Sequence, residues 1–352
     1  MAETNDAFVR FKGVQKSYDG EILVVKNFNL DIEAGEFVTM LGPSGSGKTT
    51  CLMMLAGFEP ATHGEIYLDG VPINNVPPHK RGIGMVFQNY ALFPHMTVSE
   101  NLAFPLQVRK MDKSEVESRV QRALEMVRLP EFGDRRPGQL SGGQIQRVGL
   151  ARAMDEPLGA LDKNLREEMQ YEIKHIHESL GVTVVYVTHD QAEALTMSNR
   201  IAVFDDGIVQ QLAAPDVLYE KPDNAFVAGF IGENNRLMGK VTAIEGDICN
   251  VELEGGGGAV RALRVNVGDR TTLSLRPERV TISPADGATD NACPARVEEL
   301  IYLGDHIRTR LTVSGNDQFI VKVPNAHGHI LLNRGDEVNV GWATEDCRAL
   351  DA

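Results

Sequence analysis

The sequence predicts an α/β domain followed by a smaller all-β domain. Up to about residue 235, strand-like and helix-like stretches alternate, which is typical of an α/β fold. Phe37–Leu41 is a short apolar run entering a Gly-rich turn, and Val182–Thr188 and Arg200–Phe204 are two further runs of this kind. Continuous apolar runs of this length predict buried parallel strands.

A helical subdomain is predicted inside the first domain, from residue 89 to residue 150. Between Ser114 and Leu129 the apolar residues recur at helical spacing. These residues are Val116, Val120, Leu124 and Val127.

After Asn235 the sequence no longer alternates between strand-like and helix-like stretches. Short β-rich runs such as Thr272–Leu275 and Phe319–Val323 are separated by Gly, Asp and Pro, and Gly255–Gly258 is a turn or linker of four glycines. Closely spaced short strands predict a small barrel or sandwich. With a boundary near Gly232–Arg236, we expect domains at residues 1–235 and 236–352.

Composition narrows the classes of function. The 352 residues carry a net charge of −14 with no basic run, which argues against nucleic acid as a partner. No stretch approaches the roughly 18 apolar residues of a membrane span, and the first residues lack the pattern of a signal peptide. The four cysteines have neither metal-ligand nor disulfide-framework spacing, so we expect a protein of the reducing cytoplasm.

The first chemical motif is a phosphate-binding loop between an apolar strand and a helix-like run. Its glycines let backbone N–H groups turn toward phosphate, Lys48 can reach the β- and γ-phosphate oxygens, and the Thr49 hydroxyl can hold Mg²⁺. A flexible turn is the alternative, but the flanking strand and helix are the context that phosphate binding requires. The candidate ATP-binding residues are Gly42, Pro43, Ser44, Gly45, Ser46, Gly47, Lys48, Thr49 and Thr50.

A second motif lies downstream, at Leu140–Gln144. A Ser-Gly-Gly turn that opens a helix can bind phosphate through N–H groups at the helix N-terminus. Taken alone this motif is more often a linker, but it follows a phosphate-binding loop in the same chain. The candidate residues are Ser141, Gly142, Gly143 and Gln144.

With these motifs the whole chain resembles the ABC transporter ATPases. The resemblance implies a homodimer in which Ser141–Gln144 of one subunit contact the γ-phosphate of an ATP held by the other. It also implies that Gln88 touches Mg²⁺ and senses a membrane subunit, and that Tyr18 stacks on adenine. Alone, Gln88 would be a surface amide and Tyr18 a half-exposed strand residue.

The resemblance assigns the remaining catalytic roles. Asp155 matches the residue that holds Mg²⁺ through water, and Glu156 the residue that orients or deprotonates the attacking water. Asp162 closes the segment that matches the family's D-loop, and His189 matches the histidine placed against the γ-phosphate. An isolated Asp-Glu pair would be a solvated loop, and a lone histidine at a strand end is more often structural.

One departure from the family concerns Asp155. The family has an apolar strand leading into this aspartate, whereas here the helix-like Val148–Met154 runs directly into it. About nine residues are missing, enough for one strand. Either the strand is truly deleted or the sequence omits residues that the molecule contains. Since every flanking motif is intact we expect the second, with a gap in the chain at Met154 and Asp155 and a strand beside Phe37–Leu41 and Val182–Thr188.

The tail resembles the regulatory domain of import ATPases, a barrel similar to the oligonucleotide-binding fold. The match rests on Val267–Asp269 and Ser274–Glu278. It implies two separate membrane permease subunits, an extracytoplasmic solute-binding protein, and a peripheral position at the cytoplasmic face of the inner membrane.

Three short segments indicate which solute the importer carries. Gly232–Asn235, Gly341–Trp342 and Asp346–Arg348 look most like the spermidine/putrescine importers. Importers of ferric iron, sulfate and sugars have closely similar ATPases and remain alternatives.

Three other classes compete with an importer. A DNA-repair ATPase would need a long heptad insertion between the two motifs, and a tandem translation-factor ATPase would need a second phosphate-binding loop. Neither feature is present in the sequence. A non-hydrolysing regulatory ABC protein is the third alternative, if the strand before Asp155 is truly deleted.

Overall fold

A computed structural model describes most of the chain. The described residues are 7–85, 92–108, 110–127, 129–141, 144–145, 147–149, 152, 163–326 and 330–351. Contacts divide the chain into two compact units, one comprising Met1–Met40, Ser44–Asn199 and Asp206–Ile208, the other Leu41–Pro43, Arg200–Asp205 and Val209–Ala352. None of the described helices is long and apolar enough to cross a membrane.

The elements up to residue 230 alternate between strands and helices, as predicted. The strands are β1 Ala7–Ser17, β2 Leu23–Glu33, β3 Phe37–Leu41, β4 His63–Leu68, β5 Val71–Pro72, β6 Val184–Thr188, β7 Arg200–Asp205 and β8 Ile208–Ala213. The helices are α1 Lys48–Ala56, α2 Val98–Val108, α3 Lys113–Met126, α4 Lys163–Leu180, α5 Gln191–Met197, α6 Pro215–Glu220 and α7 Ala225–Phe230.

A four-stranded sheet in the order β6-β3-β7-β8 contains the three predicted buried strands. The Val184 N–H donates to Glu36 O at 2.9 Å, and the Asn199 N–H donates to Phe37 O at 2.9 Å. Strands β6 and β7 therefore begin at the edge where β3 begins, and all three end at the opposite edge. Every residue of β3 is buried, whereas β6 is only half-buried up to Thr188 and is the outer strand of this sheet in the described part of the chain.

A separate antiparallel sheet, in the order β2-β1-β4-β5, was not predicted from the sequence as an element of its own. Its register shifts between Phe11 and Val14 of β1, where an irregularity lies opposite β2. The rings of Phe11 and Phe28 pack inside it with centroids 4.6 Å apart.

The described part of residues 89–150 contains helices, as the helical spacing predicts. The four apolar residues that predicted the helix α3 are all buried in one cluster with Val98, Leu102 and Leu106 of α2. Val148, one of the described helical residues after Ser141, packs in the same cluster. Helical spacing thus located both the helix and its buried face.

The second domain is all-β, as predicted, but it has two sheets. Its strands are β9 Asn235–Glu245, β10 Ile248–Leu253, β11 Ala259–Arg264, β12 Arg270–Leu275, β13 Thr281–Ile282, β14 Asn291–Tyr302, β15 His306–Val313, β16 Asn316–Pro324, β17 Glu337–Trp342 and β18 Cys347–Leu350. A closed barrel has the order β10-β11-β18-β12-β9, and a five-stranded sheet the order β13-β17-β14-β15-β16. One apolar core fills both.

The four-glycine segment is a turn between β10 and β11. Gly255 has φ +88°, and a Cβ on it would lie 2.3 Å from the Ser314 carbonyl oxygen. Only glycine tolerates this conformation and approach without strain.

The predicted gap at Met154 and Asp155, and the strand expected there, fall within residues 153–162. This segment lies outside the described residues. The next described element is α4, which begins at Lys163.

Buried Arg276, at the end of β12, binds the carbonyl groups that close α6 and α7. Its guanidinium donates to Tyr219 O at 2.8 Å, Ile231 O at 2.6 Å, and Ala228 O and Glu233 O at 3.1 Å each. It also lies 4.1 Å from the centroid of the Tyr219 ring. Burial lowers the pKa of Arg276, but these acceptors compensate for the desolvated charge.

Replacing Arg276 by Met should destabilise this unit by at least about 3 kcal/mol, because several buried carbonyl groups lose their donor. The urea midpoint of unfolding measures the effect. The control is Arg270→Met, which removes an exposed ion pair with Glu254 and should cost under about 1 kcal/mol. Equal midpoint shifts in the two variants would contradict this role for Arg276.

Candidate nucleotide-binding site

The phosphate-binding loop is fixed by two close backbone approaches. A Cβ on Gly42, which follows β3, would lie 2.3 Å from the Phe204 carbonyl oxygen of β7. A Cβ on Gly47, whose φ is +99°, would lie 2.8 Å from the Val24 carbonyl oxygen. Both distances are far below contact range, so these positions require glycine.

The β7–β8 turn holds the loop from one side. The Gly207 N–H donates to Ser46 O at 3.2 Å, and the Lys26 N–H donates to Gly207 O at 2.9 Å. A Cβ on Gly207 would lie 2.6 Å from Val24 O. The loop, the turn and β2 thus form one hydrogen-bonded unit.

The loop ends at the N-terminus of α1, where the helix lacks an anionic group of its own. The N-cap is Gly47, with no side-chain cap, and the first turn holds no acidic residue. The first N–H groups of an α-helix have no partner within the helix, and they give this end a partial positive charge. A phosphate group supplies both the acceptors and the negative charge that the helix end needs.

Lys48 adds a full positive charge at the same place. Its side chain is buried, its Nζ donates to Ser46 Oγ at 3.1 Å, and burial lowers its pKa. A desolvated ammonium group gains more from an anion than a solvated one does. Thr49, the next residue, is exposed.

Tyr18 lies beside the first turn of α1, as its predicted role requires. Its hydroxyl is 3.5 Å from Thr50 Oγ1, and the Nζ of buried Lys16 is 4.7 Å from the centroid of its ring. Lys16 is itself held by Glu59 at 2.9 Å. Tyr18 is 61% exposed, so its ring offers a flat apolar surface next to the phosphate-binding loop.

Ser141 and Gln144 form a capping box at the start of a helix. The Ser141 N–H donates to Gln144 Oε1 at 2.9 Å, and the Gln144 N–H donates to Ser141 Oγ at 3.3 Å. These bonds use the hydroxyl as an acceptor, so its O–H can still donate. The expectation that this motif opens a helix is confirmed for its described residues.

His189 follows β6 directly and is exposed. The junction is rigid, since Thr188 Oγ1 donates to Glu193 at 2.7 Å and accepts from the Asp190 N–H at 2.9 Å. Asp190 in turn caps α5 through the N–H groups of Ala192 and Glu193. Because β3 and β6 are neighbours that end at the same edge, His189 and the phosphate-binding loop follow adjacent strand ends.

Several predicted site residues lie outside the described residues. They are Gln88, Gly142, Gly143, Asp155, Glu156 and Asp162. Of the three predicted Mg²⁺ ligands only Thr49 is described, and an exposed hydroxyl beside a phosphate-binding loop suits a hard cation.

Two supporting residues were missed by the sequence reasoning. Buried Arg81 donates to Met54 O at 2.8 Å, Leu55 O at 2.7 Å and Val76 O at 2.7 Å, so it caps the C-terminal end of α1. No periodicity or motif marks such a residue, because its partners are backbone carbonyl groups of another segment.

The second missed residue is Asn101 of α2, which is fully buried. Its amide donates to the carbonyl oxygens of Met96 at 3.3 Å and Thr97 at 2.9 Å, and its Oδ1 accepts from the Phe93 N–H at 2.8 Å. Arg152 also donates to Oδ1 at 3.3 Å. Asn101 thus shapes the turn of residues 93–97. A polar residue at a helical core position was the available signal.

Comparison with known proteins agrees with this geometry. A family model described as "ABC transporter" matches residues 25–161, and a model described as "TOBE domain" matches residues 273–350. Relatives named spermidine/putrescine import ATP-binding protein PotA are 44% identical in Rubrobacter xylanophilus and 46% identical in Chromobacterium violaceum. These alignments cover 97% and 96% of this chain, and 93% and 97% of the relatives.

Solved structures resemble the first domain. A dimeric ATP-binding cassette, MJ0796, in a post-hydrolysis state bound to ADP and Pi, is 38% identical with a TM-score of 0.54 over 59% of this chain and 98% of its own. The protein cbiO1 of Clostridium perfringens, part of the ABC transporter complex cbiONQ, is 26% identical with a TM-score of 0.56 over 60% of this chain and 90% of its own. The spermidine/putrescine import ATP-binding proteins align with this chain over nearly its full length at 44% and 46% identity. Together with a phosphate-binding loop at the uncapped end of α1, this similarity shows that the chain belongs to the family of ABC transporter ATP-binding subunits.

Proposed function

We propose that this chain is the ATP-hydrolysing subunit of an importer for polyamines or a related organic cation. The observation that carries the ATPase part is the buried Lys48 at the uncapped N-terminus of α1, with the exposed ring of Tyr18 beside it. The polyamine part rests on the relatives, which are named as spermidine/putrescine import ATP-binding proteins over nearly their full length.

ATP binding uses the described residues. The triphosphate accepts from the N–H groups at residues 45–50 and from the Lys48 ammonium, while adenine stacks on Tyr18. The charge of the phosphates restores the stability of the charged Lys48, whose pKa burial has lowered. ATP binding should therefore also increase the stability of the folded chain.

Hydrolysis transfers the γ-phosphoryl group from the ADP leaving group to water and yields ADP and phosphate. Glu156 orients the attacking water and accepts its proton, and His189 donates a hydrogen bond to the γ-phosphate. Thr49, Gln88 and Asp155 would hold Mg²⁺, which supplies positive charge to the phosphate oxygens when bound.

Each site needs two copies of the chain. The phosphate-binding loop of one copy and the Ser141–Gln144 turn of the other enclose one ATP, with Asp162 at the same interface. The capping box fixes the turn, so the Ser141 hydroxyl and the helix N-terminus are placed before ATP arrives. The dimeric state named for the similar ATP-binding cassette supports this arrangement.

Coupling to transport runs through the segment from Gln88 to Thr97. Its described part is held by Asn101, as shown above, and it opens the helical subdomain. A cytoplasmic helix of each of two permease subunits docks there, and an extracytoplasmic binding protein delivers the solute. The chain is then peripheral to the cytoplasmic face of the inner membrane, and residues 236–352 form its regulatory domain.

One observation favours a second candidate, a regulatory ABC protein that binds ATP without hydrolysing it. Strand β6, the outer strand among the described residues, is half-buried, and only ten residues separate Arg152 from α4. Intact mass and turnover distinguish the two candidates. A mass of 38.6 kDa with no turnover would favour the regulatory protein, whereas turnover at any mass excludes it.

Replacing Tyr18 by Ala should weaken ATP binding roughly tenfold, since aromatic stacking on a base contributes about 1–3 kcal/mol. Binding of inorganic tripolyphosphate, which lacks a base, should not change. The matched control is Tyr171→Ala on α4, because Tyr171 is 60% exposed. Calorimetric titration measures both ligands, and unchanged ATP affinity in Tyr18→Ala would exclude the stacking role.

Replacing Glu156 by Gln should lower ATP hydrolysis at least about 100-fold while ATP binding persists, because the amide cannot accept the proton of water. The ATP-bound dimer should then accumulate, as gel filtration with ATP will show. Glu178→Gln on α4 is the control and should turn over ATP normally. Normal turnover in Glu156→Gln would remove this residue from the mechanism.

A Cys at position 95 should crosslink to the cytoplasmic helix of a permease subunit, since His95 is exposed in the turn that precedes α2. Mass spectrometry of the assembled transporter locates the crosslinked residues, which we expect within Tyr90–Met96. Ile244→Cys, exposed on the barrel strand β9, is the control. Crosslinks confined to position 244 would refute this docking site.

A further inference from the structure

The five-stranded sheet of the second domain carries a pocket on one face of β14, β15 and β16. Leu300 pairs with Thr309, and Tyr302 pairs with Ile307, which in turn pairs with Val323. These cross-strand rows lie on one face of the sheet because side chains alternate along a strand. They form the floor of the pocket, and Ile330–Leu332 lie over it.

We propose that this pocket binds a small uncharged organic molecule with an aromatic or branched aliphatic body and one hydrogen-bonding group. The pocket has a volume of about 180 Å³. An apolar cavity of about 150 Å³ in another protein holds one benzene molecule. The space therefore suits a single ring or a short branched chain.

Thr309 supplies the polar contact. Its side chain is fully buried, and its hydroxyl has no hydrogen-bond partner among the described residues. A buried hydroxyl without a partner is unfavourable, and a ligand group that donates to it or accepts from it removes that cost. The Tyr302 hydroxyl is the second polar group of the described lining and already accepts from Asn325, and the other described lining residues are apolar.

Charged ligands do not match the lining. None of the described residues that line the pocket is charged. The charged residues of β15 and β16 nearest to it, Arg308 and Lys322, alternate onto the other face and pair with Glu233 at 3.0 Å each. A polycation would find no carboxylate here. The ligand of this pocket therefore differs from the transported solute, a conclusion that rests on the proposed function.

The mouth of the pocket is apolar and open. Leu331 is 84% exposed, and Tyr302 and Ile330 are also exposed. The Tyr302 hydroxyl accepts from Asn325 Nδ2 at 2.7 Å, and the Asn325 amide also donates to Gly304 O at 2.7 Å. These bonds fix the rim, so the floor and rim are formed before a ligand binds.

Binding of p-cresol and toluene to the full-length chain tests the proposal, with the methyl NMR signals of Ile307 and Ile330 as the readout. Both probes should bind saturably, and p-cresol more tightly. Thr309→Val should weaken the binding of p-cresol roughly fivefold to tenfold, as expected for the loss of one neutral hydrogen bond. The affinity for toluene should not change. The matched control is Thr312→Val, on the opposite face of β15.

Leu331→Ala is a second variant. It should leave folding unchanged, because the Leu331 side chain is largely exposed. It should weaken the binding of both probes. The proposal is overturned if neither probe saturates, if Thr309→Val binds p-cresol as the parent chain does, or if spermidine shifts the same methyl signals. The experiment needs neither ATP nor membrane subunits. Its failure would therefore leave the proposed ATPase function intact, and loss of ATPase function would leave this result intact.

Discussion

The nucleotide site depends on how closely three backbone segments approach one another. Gly42 lies against the Phe204 carbonyl group, while Gly47 and Gly207 both lie against the Val24 carbonyl group. A side chain at any of the three would push the loop from its support and displace the N-terminus of α1. The glycines therefore do more than allow flexibility, because they let β2 and β7 hold the loop in the one geometry that presents its N–H groups.

Two buried arginines extend the same principle to the ends of helices. Arg81 binds the last carbonyl groups of α1, and Arg276 binds those of α6 and α7. Carbonyl groups at a helix C-terminus carry partial negative charge and need donors, and a guanidinium provides several in one plane. Each arginine is desolvated and each is compensated by backbone acceptors. The position of α1 is thus fixed at both ends, by glycine contacts at its start and by Arg81 at its finish.

Local sequence patterns predicted the strands, helices and loops that interactions between neighbouring residues determine. The apolar run of β3, the spacing that buries Val116 and Leu124, and the phosphate-binding loop could all be read along the chain. The features that the sequence did not predict depend on contacts between residues far apart in the chain. The β1–β4 pairing in the antiparallel sheet and the parallel pairing of β11 with β18 join segments far apart in sequence. Arg81 was missed for a related reason, since its partners are backbone atoms and leave no trace in residue types. The catalytic residues before α4 rest on the resemblance alone.

The central claim is that each nucleotide site is shared between two copies of the chain, and a mixed dimer tests it most directly. In Lys48→Met the phosphate-binding loop fails, and in Ser141→Arg the partner's turn fails. Neither variant alone should form an ATP-dependent dimer. Mixed together, they leave one site whose loop and turn are both intact, so sedimentation should detect a heterodimer holding one ATP. The heterodimer of the parent chain with a chain carrying both substitutions, isolated with a different affinity tag on each chain, should hold none, because each of its two sites has one defective half. The absence of an ATP-dependent heterodimer from the mixture of Lys48→Met and Ser141→Arg would contradict a shared site, because a site built within one copy is broken in both variants.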